Sequence, residues 1–239
     1  MTRSRRTGDT GILERLFRWR RFPGLFRWPL VALTAVVAAL SVRPPLHSEM
    51  NVGAALTWQL WWTLLPLFTL LFARTWCAVC PFAALSDLIP RLRSTAPTAP
   101  SWMHRVGPWL GTGGIAALGF LFLLLSLESN GPLTSILLLA FTLGAVGMAF
   151  LWRGSIWCRQ ICPLGRMLGL YARLAWLRLE PIDDAGRRAA ALSARSCPQC
   201  TSPVANQKAR DCILCAACLQ SPGGESIRVR LRWPRLHGH

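Results

Sequence analysis

The chain has 239 residues, of which 52% are hydrophobic and 15% charged, and it carries a formal net charge of +17. Soluble globular domains carry about 25% charged residues, so this composition argues against both disorder and ordinary soluble globularity and points to a membrane protein. An excess of 27 Lys and Arg over 10 Asp and Glu suits anionic lipid as well as nucleic acid. No nucleic-acid-binding motif accompanies it, so membrane lipid is the expected partner and nucleic acid is not.

Four apolar stretches follow in chain order, at 28–46, 54–72, 109–127 and 133–152. Each is near the ~20 residues that cross a bilayer. The first is uninterrupted only over 30–42, between Arg27 and Arg43, and snorkelling of these two arginines completes it. The Arg5-Arg6 pair hints at a twin-arginine signal, but the apolar run starts only at Leu30 and 41–45 lacks a small-x-small cleavage site. Eight arginines precede the first span, one separates the first and second, and four separate the second and third. None lies between the third and fourth, and fourteen Lys and Arg follow from Arg153 onward. The positive-inside rule therefore puts both termini and the central loop in the cytoplasm. The organisation expected is a basic N-terminal segment at 1–27, a transmembrane domain at 28–180 and a Cys-rich tail at 181–239. Gly107, Gly111, Gly113, Gly114 and Gly119 in the third span, with Gly144 and Gly147 in the fourth, allow close helix approach. Pro66 is a candidate kink in the second.

All nine cysteines fall on segments assigned to the cytoplasm, a reducing compartment that favours metal or redox chemistry over disulfides. The first four occur as Trp76-Cys77-Ala-Val-Cys80-Pro81 and Trp157-Cys158-Arg-Gln-Ile-Cys162-Pro163. Each follows the second helix of a pair and precedes an amphipathic stretch, 81–89 or 163–171. This is an internal duplication of two spans, a Cys-Pro turn and a surface helix. An even number of spans per copy brings both turns to one membrane face, where four thiolates can converge. Proline after the last ligand is a habit of ferredoxin cysteine runs.

The tail carries Cys197-Pro-Gln-Cys200 and Cys212-Ile-Leu-Cys215-Ala-Ala-Cys218, followed by Ser221-Pro222. CxxCxxC is the three-ligand part of a ferredoxin site, and Ser221-Pro222 stands where a closing Cys-Pro is usual. One tail cluster is therefore expected, on Cys212, Cys215 and Cys218 with Cys200 or Cys197 as fourth ligand. Zinc is the alternative for the tail, because Cys197/Cys200 and Cys212/Cys215 also fit a zinc-ribbon spacing. Histidine is confined to His47, His104, His237 and His239, which leaves a bis-histidine haem in the spans without support.

On these motifs the chain resembles the four-span membrane ferredoxin-type proteins of the NapH, MauN and NosR class, whose hallmark is two cysteine-x3-cysteine-proline motifs after paired spans plus a ferredoxin-like tail. The likeness covers about residues 25 to 222. The 158–163 motif matches the hallmark, whereas Cys77 and Cys80 are separated by only two residues and the tail has five cysteines where relatives commonly have eight. The resemblance implies a bacterial cytoplasmic membrane, electron transfer from quinol to a partner redox protein, and a possible role as the quinol-oxidising subunit of a larger oxidoreductase. The expected fold is all-α, with four transmembrane helices in two parallel two-helix repeats and a small cytoplasmic ferredoxin-like tail. Two [4Fe-4S] clusters are expected, one on Cys77, Cys80, Cys158 and Cys162 and one on the tail. The rival reading is a non-redox accessory protein whose cysteines hold zinc or deliver metal to a client enzyme. Arg74, Arg153, Arg159 and Arg166 stand near the membrane motifs, where positive charge favours a reduced, more negative cluster.

Overall fold

The computed structural model describes residues 11–42, 51–89, 97, 99–152, 156–184, 188, 197, 212–222 and 224–231. It is mostly helical, and Gly24–Val42, Val52–Phe72, Ser101–Leu125 and Gly131–Leu151 are four helices long and apolar enough to cross a membrane. At most 22% of the apolar window of any of them is buried, so their outer faces, with Leu33, Leu67, Leu123 and Leu143 exposed, need an apolar solvent. This suggests a multi-pass membrane protein. The third helix begins eight residues before the sequence expectation, behind an extended Pro100, because hydropathy registers only its apolar part. The second continues through Pro66, and its departure from α geometry is the π turn Leu56–Trp61 upstream.

The chain divides into two compact units. One comprises Phe26–Leu67 and Val79–Leu168, and polar groups tie its helices together. Trp58 Nε1 donates to Thr134 Oγ1 at 3.0 Å, and Thr134 Oγ1 donates to the Leu127 carbonyl at 2.9 Å. Asn51 caps its helix by accepting from the Ala54 amide at 3.1 Å and donates to the Ser41 carbonyl at 3.0 Å. Ser41 and Thr134 are fully buried, where a polar group without a partner is costly, so these bonds fix helix register. Gly107, Gly111 and Gly114 form one face of the third helix, i, i+4, i+7. A Cβ on them would meet Gln160, the Gln160 carbonyl and Pro163 respectively. The glycine face therefore seats the segment that carries Cys158 and Cys162. Arg27 pairs with Asp87 at 2.8 Å, tying the first helix to the turn after Pro81–Ser86.

The other unit comprises Met1–Leu25, Phe68–Ala78 and Gly169–His239. Here the all-α expectation is corrected by a two-stranded antiparallel sheet, β1 Leu177–Pro181 and β2 Ile227–Leu231, in which Leu179 faces Val229. The cause is legible after the fact. Leu177 and Leu179 alternate with Arg178 and Glu180, and Ile227 and Val229 with Arg228 and Arg230, a period of two that buries one face. On that face Leu177, Ile227 and Val229 pack with Phe17 and Phe22 from the N-terminal segment and Leu214, Ala216 and Leu219 from the cysteine loop.

The glycine face yields a test. Gly107→Ala puts a Cβ 2.6 Å from the Gln160 Cβ, whereas Gly113→Ala meets nothing within 4 Å. Gly107→Ala is expected to lower stability by about 1–3 kcal/mol, read as a lower melting temperature in detergent, and Gly113→Ala to leave it unchanged or slightly higher.

Candidate metal centre

Two Cys-Pro turns are built alike. Proline disfavours α geometry in the residue before it, and Cys80 (φ −53°, ψ 133°) and Cys162 (φ −59°, ψ 116°) are both extended. Each proline then opens a helix, Pro81–Ser86 or Pro163–Tyr171, a position that suits a residue without an N–H. The Cys80 carbonyl accepts from the Ala84 amide at 2.9 Å and the Cys162 carbonyl from the Arg166 amide at 3.1 Å, the first helical bond in each case. The unequal spacing is absorbed upstream. Cys77 lies in the α-helix Thr75–Val79, while Cys158 lies in the π turn Trp157–Ile161, where the Cys162 amide bonds the Trp157 carbonyl at 2.8 Å. A π turn holds one residue more than an α turn.

Donors reach the sulfurs. The Gly165 amide donates to Cys162 Sγ at 3.4 Å, and Arg74 Nη2 donates to Cys77 Sγ at 3.8 Å. Both are N–H donors of the kind that hydrogen-bond the sulfurs of an iron–sulfur cluster. Arg153 lies outside the described residues.

Within the membrane-helix unit, Phe141 of the fourth helix touches Phe82, two residues after Cys80, and Trp157, one before Cys158, with ring centroids 5.9 Å apart in both pairs. Phe82 and Leu164, each two residues beyond a Cys-Pro cysteine, also line one apolar cleft with Trp58 and Trp61. The turns bearing Cys80 and Cys162 are thereby gathered. Gln160, buried between Cys158 and Cys162, is held by a 3.0 Å hydrogen bond to His104 Nδ1. The sequence marks Gln160 only by its place between two cysteines.

In the other unit Cys212, Cys215 and Cys218 lie on an irregular loop in which Leu214 (φ 51°) and Ala216 (φ 63°) are left-handed. Non-glycine residues in that region cost energy and concentrate at functional sites. Burial pushes the Cys212 thiol up, with the Leu214 amide partly offsetting it and Cys218, Cys215 and Cys197 adding to it. Burial, then Cys197, pushes the Cys218 thiol up to about 11. Cys197 thus lies within electrostatic reach of Cys212 and Cys218, while Cys200 is outside the described residues. Ser221 spends its hydroxyl on the Cys218 carbonyl at 2.8 Å.

Eight cysteines are described; all are partly exposed and none is disulfide-bonded. Among the described residues no three Cys, His, Asp or Glu converge on one ion position. The chemistry of these cysteines fits an iron–sulfur cluster: two stand before prolines, and N–H and guanidinium donors reach two of the sulfurs.

The raised thiols have a pH consequence for the metal-free protein. Cys218 keeps its proton up to about 11 when folded, against 9.0 for an ordinary thiol. Its stabilising contribution is full below about pH 9 and is lost as pH rises through about 11. Metal-free protein is expected to melt at a lower temperature at pH 10.5 than at pH 8, and Cys218→Ala to flatten that slope.

Residues 54–100 and 134–179 each match the family model of a 4Fe-4S binding domain, and each matched segment contains one of the two Cys-Pro turns. The chain is 26% identical over 158 residues to the uncharacterized protein MJ0749 of Methanocaldococcus jannaschii. That match covers 61% of this chain, and the chain spans about 60% of the length of that relative. No solved structure matches. The two matched segments support an iron–sulfur cluster.

Proposed function

We propose that this is a membrane-bound iron–sulfur electron-transfer protein of the NapH, MauN and NosR kind, passing electrons between quinol and a partner redox protein. It sits in a bacterial cytoplasmic membrane with both termini inside. The observation that carries the electron-transfer reading is the pair of like-built Cys-Pro turns inside two segments that match a 4Fe-4S binding domain. In this reading the two turns belong to parallel two-helix repeats, and Cys77, Cys80, Cys158 and Cys162 share one cluster. Cys212, Cys215 and Cys218 hold a second, with Cys200 or Cys197 as fourth ligand. The other of these two cysteines is then the spare thiol. When bound, each cluster supplies reversible one-electron storage.

The chain's own residues set the conditions for that storage. The Gly165 amide and Arg74 offset negative charge at Cys162 and Cys77, which raises a cluster's reduction potential. This direction suits accepting electrons from a quinol. The apolar cleft beside Phe82 and Leu164 offers a surface for a quinol ring.

Anaerobically purified protein is expected to contain about eight irons and eight acid-labile sulfides per chain, with a paramagnetic signal on dithionite reduction. Zinc without sulfide would overturn the reading and favour the accessory role. Cys215→Ser should remove about half of the iron, and of Cys197→Ser and Cys200→Ser only one should do the same. Arg74→Gln should lower the potential of one cluster by about 40 mV, the one-electron equivalent of about 1 kcal/mol of lost hydrogen bonding.

A further inference from the structure

The N-terminal segment, which the sequence presents only as a basic lead-in, meets the tail cysteine loop through specific contacts. Gln220 lies two residues beyond Cys218, and its backbone amide donates to the Ala216 carbonyl at 3.1 Å. Its side-chain Nε2 donates to three carbonyls at the end of helix Gly11–Arg18 and in the turn that follows: Phe17 at 3.0 Å, Trp19 at 3.0 Å and Phe22 at 3.2 Å. Two protons serve three acceptors, so at least one is shared. Helix-terminal carbonyls lack intrahelical partners, and Gln220 supplies a C-cap from the far end of the chain. Arg18 adds a second tie, with Nη2 donating to the Ile227 carbonyl at 3.0 Å and Nη1 to the Gly224 carbonyl at 3.4 Å, while Glu14 holds the guanidinium at 2.9 Å.

Beneath these bonds lies an apolar layer. Phe17 and Phe22 meet edge to face at 4.9 Å. Both are buried in the cluster that includes Leu214, Ala216 and Leu219, and Leu13, Leu16, Cys212 and Cys218 pack against it. Cys212 and Cys218 therefore pack against the same apolar layer that the two phenylalanine rings help to build.

We infer that residues 11–23 are a wall of the tail cysteine site and that Gln220 is the positioning residue holding the loop against that wall. The inference builds on the reading of Cys212, Cys215 and Cys218 as cluster ligands. It adds that the N-terminal segment sets how fast metal leaves and how accessible the thiols are.

The test uses the full-length protein in detergent, loaded and metal-stripped, with Gln220→Leu to remove the donors at similar size and Gln220→Lys to restore a donor. In loaded protein the readout is iron release to a chelator under anaerobic conditions. In stripped protein it is alkylation of each cysteine by mass spectrometry, with Cys158 and Cys162 as internal references. Gln220→Leu should speed iron release from the tail and alkylation of Cys212 and Cys218 by about five-fold, leave Cys158 and Cys162 unchanged, and be rescued by Gln220→Lys. Equal rates in wild type and a folded Gln220→Leu would overturn the inference. Should Gln220→Leu fail to fold, Arg18→Gln, which releases the Gly224 and Ile227 carbonyls, is expected to change the same two thiols in the same direction, and unchanged thiols there would also overturn it. Wild-type protein without iron would sink the cluster reading alone, and the alkylation comparison would still decide the wall.

Discussion

A proline directly behind a cysteine constrains three things at once. Its ring holds the cysteine extended, its missing N–H makes it a natural first helical residue, and the helix that follows points its free amides back at the sulfur. Cys80 and Cys162 both obey the first two constraints, and the Gly165 amide on Cys162 shows the third. The rest of the membrane-helix unit serves to deliver these turns. The glycine face of the third helix makes room for the 157–163 segment, and Phe141 bridges toward both motifs.

Delivery has to happen with little help from hydrophobic sorting. Where lipid is as apolar as leucine, helices are held by close packing and polar contacts. The buried Trp58, Thr134, Asn51 and Ser41 contacts meet that need. They also explain why polar side chains survive in these apolar helices, since Trp58 and Thr134 spend their donors on a neighbouring helix or loop and Ser41, Thr34 and Thr142 spend theirs on a carbonyl of their own helix.

The sequence revealed the elements whose signal is local and strong. Length and hydropathy located four helices, and Cys-Pro spacing located the turns, because each reflects a constraint acting within a few residues. The third helix extended beyond expectation because Ser101, His104 and Arg105 are helical without being apolar. The sheet was missed because its two strands are five residues each and lie far apart in the chain. The role of Gln220 had no local signal at all, since its three acceptors lie some 200 residues upstream and nothing in a lone glutamine identifies distant carbonyls. The extra residue between Cys158 and Cys162 looked like a departure between the two motifs, whereas the π turn makes it a change of winding that leaves the Cys-Pro geometry alike.

The contact between Gln220 and Phe17 spans 203 residues, and this separation sets an order of events during synthesis. At about 5–20 residues per second, the helix Gly11–Arg18 leaves the ribosome roughly 10 to 40 s before its capping amide exists. During that interval four apolar helices must be threaded into lipid. The Gly11–Arg18 helix therefore waits for Gln220, and its contacts with the tail cysteine loop form only after all four long helices have been made.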